Sequence, residues 1–144
     1  MRSVPVLNHV ALTVDASLLE GPKREALKDF YGAVFGWEES PQMTIDGERL
    51  VFRLYRRGQF LQLVSGAQPR VAGERDHFGI EVGSKATLEE MIARAREFKE
   101  KRDPSVEIND IKLSRDTENL RLWEARVRYL LPMMVEIQCF EDKT

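Results

Sequence analysis

The chain has 144 residues, of which 42% are hydrophobic and 32% charged, and its formal net charge is −2. That length and balance suit one domain, or two half-size modules sharing a core, and fit a soluble globular protein with a well-solvated surface. With Arg56-Arg57 and the stretch Lys99 to Arg102 as its nearest approaches to a basic run, it carries no electrostatic footprint for nucleic acid. No apolar run reaches membrane-spanning length, and the N-terminus lacks the apolar core of a signal peptide. The single Cys139 cannot form an intrachain disulfide and sits in an apolar alternation, so it is expected as a buried thiol in a cytoplasmic protein.

Taken in chain order, the first strand is expected from about Val6 to Val14. Val6, Val10, Leu12 and Val14 fall on one face, and Leu7, His9, Ala11 and Thr13 on the other. Pro22 suits a first helical turn; Leu27, Phe30, Tyr31 and Val34 make an i, i+3, i+4, i+7 stripe, and Gly36 closes the helix. Extended segments follow near Trp37 to Ile45 and Leu50 to Arg56, divided by the hairpin signal Asp46-Gly47, and Gly58 turns the chain into Gln59 to Val64. The polar, turn-rich segment Ser65 to Arg70 is the module boundary.

The order then repeats. A strand His77 to Val82 precedes a helix with a capping box at Thr87 and Glu90 and an apolar stripe of Leu88, Met91, Ile92, Ala95 and Phe98. Asp103-Pro104 ends it, and strands are expected at Val106 to Leu113, Leu120 to Leu131 and Met133 to Phe140. The pattern is βαβββ twice, an α+β chain of two tandem modules, at about residues 5–66 and 74–142 of a single domain spanning 1–144.

The repeat is visible in the residues themselves. Leu7-Asn8-His9-Val10-Ala11-Leu12-Thr13-Val14 and Arg75-Asp76-His77-Phe78-Gly79-Ile80-Glu81-Val82 each carry their one His in third place, and these are the two histidines of the chain. Near the end of each half, Phe60-Leu61-Gln62-Leu63 matches Met134-Val135-Glu136-Ile137. Strand parity turns His9, Gln62, His77 and Glu136 away from the helix-covered faces, so the four can converge if the modules curl together. Two neutral imidazoles and a carboxylate suit Fe(II), Mn(II), Co(II), Ni(II) or Zn(II), with positions left for water or substrate. Each residue alone has a plainer explanation, since a strand His or Gln is usually a solvated or hydrogen-bonded side chain.

This order, with Asn8-His9-Val10-Ala11-Leu12 at the start, resembles the vicinal oxygen chelate superfamily, which includes glyoxalase I, bleomycin and fosfomycin resistance proteins, extradiol dioxygenases and methylmalonyl-CoA epimerase. Asp29-Phe30-Tyr31 with Phe35-Gly36-Trp37 looks like its first-helix motif, and Asp76 to Val82 and Val135-Glu136-Ile137 look like its fifth and eighth strands. The resemblance implies an eight-stranded incomplete barrel with helices outside, a homodimer, a small-molecule substrate, and a divalent metal at His9, Gln62, His77 and Glu136. The full set is similar to that of some methylmalonyl-CoA epimerases; without Gln62 it looks like the facial triad of extradiol dioxygenases. The chain departs from the pattern at Leu130-Leu131-Pro132-Met133, where an Asp-Pro-x-Gly turn is usual, and in an insertion from Asp110 to Asn119.

Such an ion polarises a carbonyl or stabilises an enolate. Glu136 is the candidate catalytic base, with Glu48 and Glu81 the acids available for a second one. Tyr55, Tyr129 and Arg53 are candidate substrate-binding residues, and packing at strand ends is the plainer role of the tyrosines. The expected activity is isomerase or lyase chemistry, or an extradiol-type dioxygenase. The alternative is a bleomycin-resistance-like protein that binds a small molecule without catalysis.

Overall fold

The structure, a computed structural model, describes residues 3–56 and 58–143; residues 1, 2, 57 and 144, with Arg57 of the basic pair, lie outside the described residues. The chain divides into two compact units, Met1–Arg70 and Val71–Thr144. No helix is long and apolar enough to cross a membrane.

Unit one runs β1 (His9–Val14), a short 3-10 turn (Ala16–Leu19), α1 (Gly21–Phe35), β2 (Glu38–Glu39), β3 (Arg49–Arg53) and β4 (Phe60–Ser65). Its sheet has the order β1-β4-β3-β2, with β1 and β4 parallel and the other pairs antiparallel. α1 starts with Pro22 in its first turn and stops at Gly36, whose φ of 71° is a left-handed cap open to glycine at little cost. The expected stripe is the buried one: Leu27, Phe30, Tyr31 and Val34 have no exposure. Tyr31 stacks on Trp37 at 5.3 Å and leans on Phe52 of β3, which fastens the helix to the sheet. Leu61 and Leu63 fill the same face from β4.

Unit two repeats the plan as β5 (His77–Glu81), α2 (Lys85–Lys101), β6 (Glu107–Asp116), β7 (Leu120–Arg128) and β8 (Met134–Asp142), with sheet order β5-β8-β7-β6. Again the outer pair, β5 and β8, is parallel. Val135, Ile137 and Cys139 of β8 are fully buried with Leu88, Ile92 and Ala95 of α2. Tyr129, just past β7, closes the far end: its ring meets Phe98 edge-on at 5.4 Å and its hydroxyl donates to Asp103 Oδ2 at 2.8 Å.

Several boundaries differ from expectation. β1 begins at His9 rather than Val6, and Val6 and Leu7 are exposed before it. The expected strand from Trp37 to Ile45 shrinks to Glu38–Glu39, because Pro41 lacks an N–H and Met43 and Thr44 turn their amides back onto the Ser40 carbonyl. The Asp46-Gly47 turn is present, with Gly47 at φ 73°. α2 is capped by Ser84, whose hydroxyl accepts from the Thr87 amide, so Thr87 is a partner of the cap and not the cap itself. The insertion from Asp110 to Asn119 is the extended end of the β6–β7 hairpin, which carries two register shifts.

Candidate functional site

Register places the motif residues equivalently in the two units. In unit one His9 sits opposite Phe60, and Gln62 follows two residues further along β4. In unit two His77 sits opposite Met134, and Glu136 follows two residues further along β8. Each His therefore shares a face with its partner on the neighbouring parallel strand, opposite the face packed on the helix.

The two imidazoles are held in the same sense. His9 Nδ1 lies 2.8 Å from Asn8 Oδ1, and His77 Nδ1 lies 2.9 Å from the Arg75 carbonyl oxygen. Both oxygens accept, so each Nδ1 is the donor, and Nε2 is the ring nitrogen that carries the lone pair whenever the imidazole is the neutral form a metal ligand requires. His9 is further fixed by stacking on Phe60, with ring centroids 4.7 Å apart and planes 7° from parallel.

Glu136 is the chemically loaded residue of unit two. It is 5% exposed between fully buried neighbours, where a carboxylate needs charge-balancing partners. Arg126, directly opposite on β7, donates to Glu136 Oε1 through Nε at 3.2 Å and Nη2 at 3.0 Å. Oε2 lies 3.0 Å from His77 Nε2 and 3.3 Å from Gln138 Nε2. Gly79, the residue opposite Glu136 on β5, leaves room over the carboxylate; a Cβ there would stand 3.9 Å from Oε2.

A nitrogen lone pair and a carboxylate lone pair cannot face each other at 3.0 Å unless a proton or a cation lies between them. Two donors bound to one ion at right angles, with bonds of about 2.1 Å, stand roughly 3.0 Å apart. The Nε2 to Oε2 spacing is compatible with both atoms serving one divalent ion, in which case Arg126, holding Oε1, would leave only Oε2 of Glu136 for it. Among the described residues no three or more His, Cys, Asp or Glu side chains form a group able to hold a metal ion.

The remaining candidates fall elsewhere. Tyr55 is 86% exposed beyond the end of β3, and Arg53 is paired with Glu38. Tyr129 is buried, its hydroxyl committed to Asp103. Glu81 shares the His77 face of β5 and lies opposite Gln138, while Glu48 sits in the hairpin turn of unit one.

Sequence reasoning missed Arg126 and, beside it, Glu124. The charges at 124, 126 and 128 alternate with buried Ala125 and Val127, which is a readable sign of a strand with one charged face. Glu124 is itself buried, 2.9 Å from Lys112. Burial alone would raise its carboxyl, but the Lys112 ammonium, with help from Ser114 and Arg126, brings it below the ordinary carboxylate range.

No protein-family model matches the sequence, and no curated protein matches it. Solved structures do. A possible glyoxalase from Bacillus cereus superposes with a TM-score of 0.64 at 20% identity, covering 94% of this chain and 100% of its own. The lactoylglutathione lyase of Agrobacterium tumefaciens gives 0.63 at 17% identity, covering 96% of each chain. The fosfomycin resistance protein FosX of Listeria monocytogenes gives 0.61 at 16%, covering 95% of this chain and 94% of its own. The chain has the glyoxalase/bleomycin resistance fold. At such identities the likeness fixes architecture, leaving activity to the site.

Proposed function

We propose that this chain is a metal-dependent enzyme of the glyoxalase and dioxygenase superfamily, acting on a small oxygenated molecule that chelates a divalent ion through two oxygens. The observation that carries the reading is the pair of imidazoles at matching places in the repeat. Each has Nδ1 engaged by an oxygen, and the Nε2 of one stands 3.0 Å from the buried Glu136 carboxylate. His9, Gln62, His77 and Glu136 are the residues proposed to hold the ion, with Fe(II), Mn(II), Co(II), Ni(II) or Zn(II) compatible with such ligands. When bound, the ion supplies Lewis-acid polarisation of a substrate oxygen. Arg126 orients Glu136 and fixes which of its oxygens faces the site. Glu136 would take or return a proton through Oε2 in isomerase or lyase chemistry once that oxygen loosens from the ion; extradiol-type cleavage would use the same ligands. A homodimer and a cytoplasmic location belong to the same proposal.

One observation favours the second reading, a bleomycin-resistance-like binder without catalysis: Arg126 already balances the Glu136 charge within the chain. Elemental analysis of protein purified without chelator from cells supplied with each metal separates the two. The enzyme reading expects about one ion per chain, lost in both His9→Ala and Glu136→Ala. Folded wild-type protein that stays metal-free in every supplement would overturn it in favour of the binder.

A further inference from the structure

We infer that the hollow on the β6–β7 side of unit two receives an oxyanion. If the enzyme reading above holds, the substrate is then a small acid that carries a carboxylate, phosphonate or phosphate besides its chelating oxygens. The hollow has a volume of about 410 Å³, within the size range of small-molecule sites. Arg75, Asn109, Asp110, Lys112, Glu124 and Arg126 form its walls, and Arg126 connects it directly to Glu136.

Each carboxylate in these walls already has a cationic partner, while N–H donors are left over. Glu124 is paired with Lys112, and Asp110 is drawn off by Arg96 of α2. Lys112 keeps further N–H bonds after serving Glu124, and Arg126 keeps Nη1 after serving Glu136 through Nε and Nη2. Among the described residues the Arg75 side chain makes no ion pair or hydrogen bond; only its backbone carbonyl is engaged, by His77. Once the pairs are counted off, one guanidinium remains uncompensated. A ligand entering there meets N–H donors and a net positive charge, the surroundings that select carboxylate or phosphate oxygens.

The backbone is bent to this purpose. Between Asn109, opposite Arg126, and Lys112, opposite Glu124, β6 carries one residue more than β7. That bulge brings residues of opposite parity, Asn109 and Lys112, to one hollow.

The test uses two vicinal diols that differ by one carboxylate, catechol and 3,4-dihydroxybenzoate, titrated calorimetrically into Mn(II)-loaded protein. The benzoate is expected to bind about tenfold more tightly than catechol. Arg75→Gln, which keeps the carbonyl that holds His77, is expected to remove most of that advantage while Mn(II) content and thermal midpoint stay unchanged; Lys112→Gln is expected to remove it too, at a lower thermal midpoint because Glu124 loses its cation. Equal affinities in the wild type, or an advantage that survives both substitutions, overturns the inference. A metal-free arm keeps the two readings apart: chelator-treated protein is titrated with inorganic phosphate and followed by amide shifts. Saturable shifts around Asn109 and Arg126, lost in Arg75→Gln, support the oxyanion site even where the protein takes up no metal. The absence of saturable shifts overturns it even where metal binds.

Discussion

Replacing Arg126 by methionine keeps the alkyl stem and removes the guanidinium, so it isolates what the charge does for Glu136. The carboxylate then keeps only His77 and Gln138, both on Oε2, and Oε1 is left without its two donors. Breaking a fully buried ion pair costs about 3–5 kcal/mol, and a single hydrogen bond to a charged group is worth about 1.5–3 kcal/mol. The Arg126 side chain is 27% exposed, so the pair is not fully buried and the expected loss is about 2–3 kcal/mol. The double variant Arg126→Met/Glu136→Gln removes the stranded charge and is expected to lose only about 1 kcal/mol. Urea unfolding followed by far-UV circular dichroism, with an unchanged m-value, reads both numbers. Saturating Mn(II) supplies a replacement cation in the single variant and is expected to restore about 2–3 kcal/mol at one hundred times its Kd. A single variant as stable as the wild type, or a double variant less stable than the single, refutes the claim that Arg126 balances Glu136.

Two further outcomes follow from the fold. Hydrogen bonds and ion pairs hold the carboxyls of Glu107, Asp103 and Asp116 below their ordinary values of 4.5, 3.8 and 3.8, chiefly through Arg128, the Ser105 amide and Lys143 respectively. For such groups the stabilisation is complete above the unfolded-state value and is lost as pH falls through the lower folded value. Thermal midpoints should therefore be flat from neutrality to about pH 5 and fall progressively below it; a midpoint that rises on acidification contradicts these pairings. Ser84→Ala should cost about 1 kcal/mol by removing the α2 cap, and Thr87→Ala clearly less. The reverse order in urea midpoints would restore Thr87 as the cap.

Alternation made most of this fold readable in advance. A period of two says which side of a strand is buried without reference to any neighbour, so the parity of β1, β4, β5 and β8 follows from the apolar residues alone. The α1 stripe and the Gly36 stop are local in the same way. The elements that escaped depend on partners distant in sequence. Glu38–Glu39 is short because of where Ser40 and Pro41 send the backbone, and the end of β6 extends because β7 is there to pair with it. Arg126 escaped for the same reason: a charge on a strand becomes part of a site only when the register with β8 sets it opposite Glu136. The bulge in β6 has no composition signal at all, since nothing in Asn109-Asp110-Ile111-Lys112 demands an extra residue.

The repeat also shows how the two units have come to differ. In unit one the residue opposite Gln62 on β3 is Val51; in unit two the residue opposite Glu136 on β7 is Arg126. The same two places hold a neutral amide with an apolar neighbour in one unit and a carboxylate with a guanidinium in the other. These changes go together physically, because a buried glutamate without a cation is costly and an arginine beside an amide at that depth would be stranded in turn. Unit one accordingly offers His9 steadied by an aromatic stack, a ligand that carries no charge of its own. Unit two concentrates the ionic groups: Glu136, Arg126, Glu124 and Lys112 lie on adjacent strands, with the donor-rich hollow beside them. On the proposed reading, the candidate proton-carrying group and the donor-rich hollow both belong to unit two.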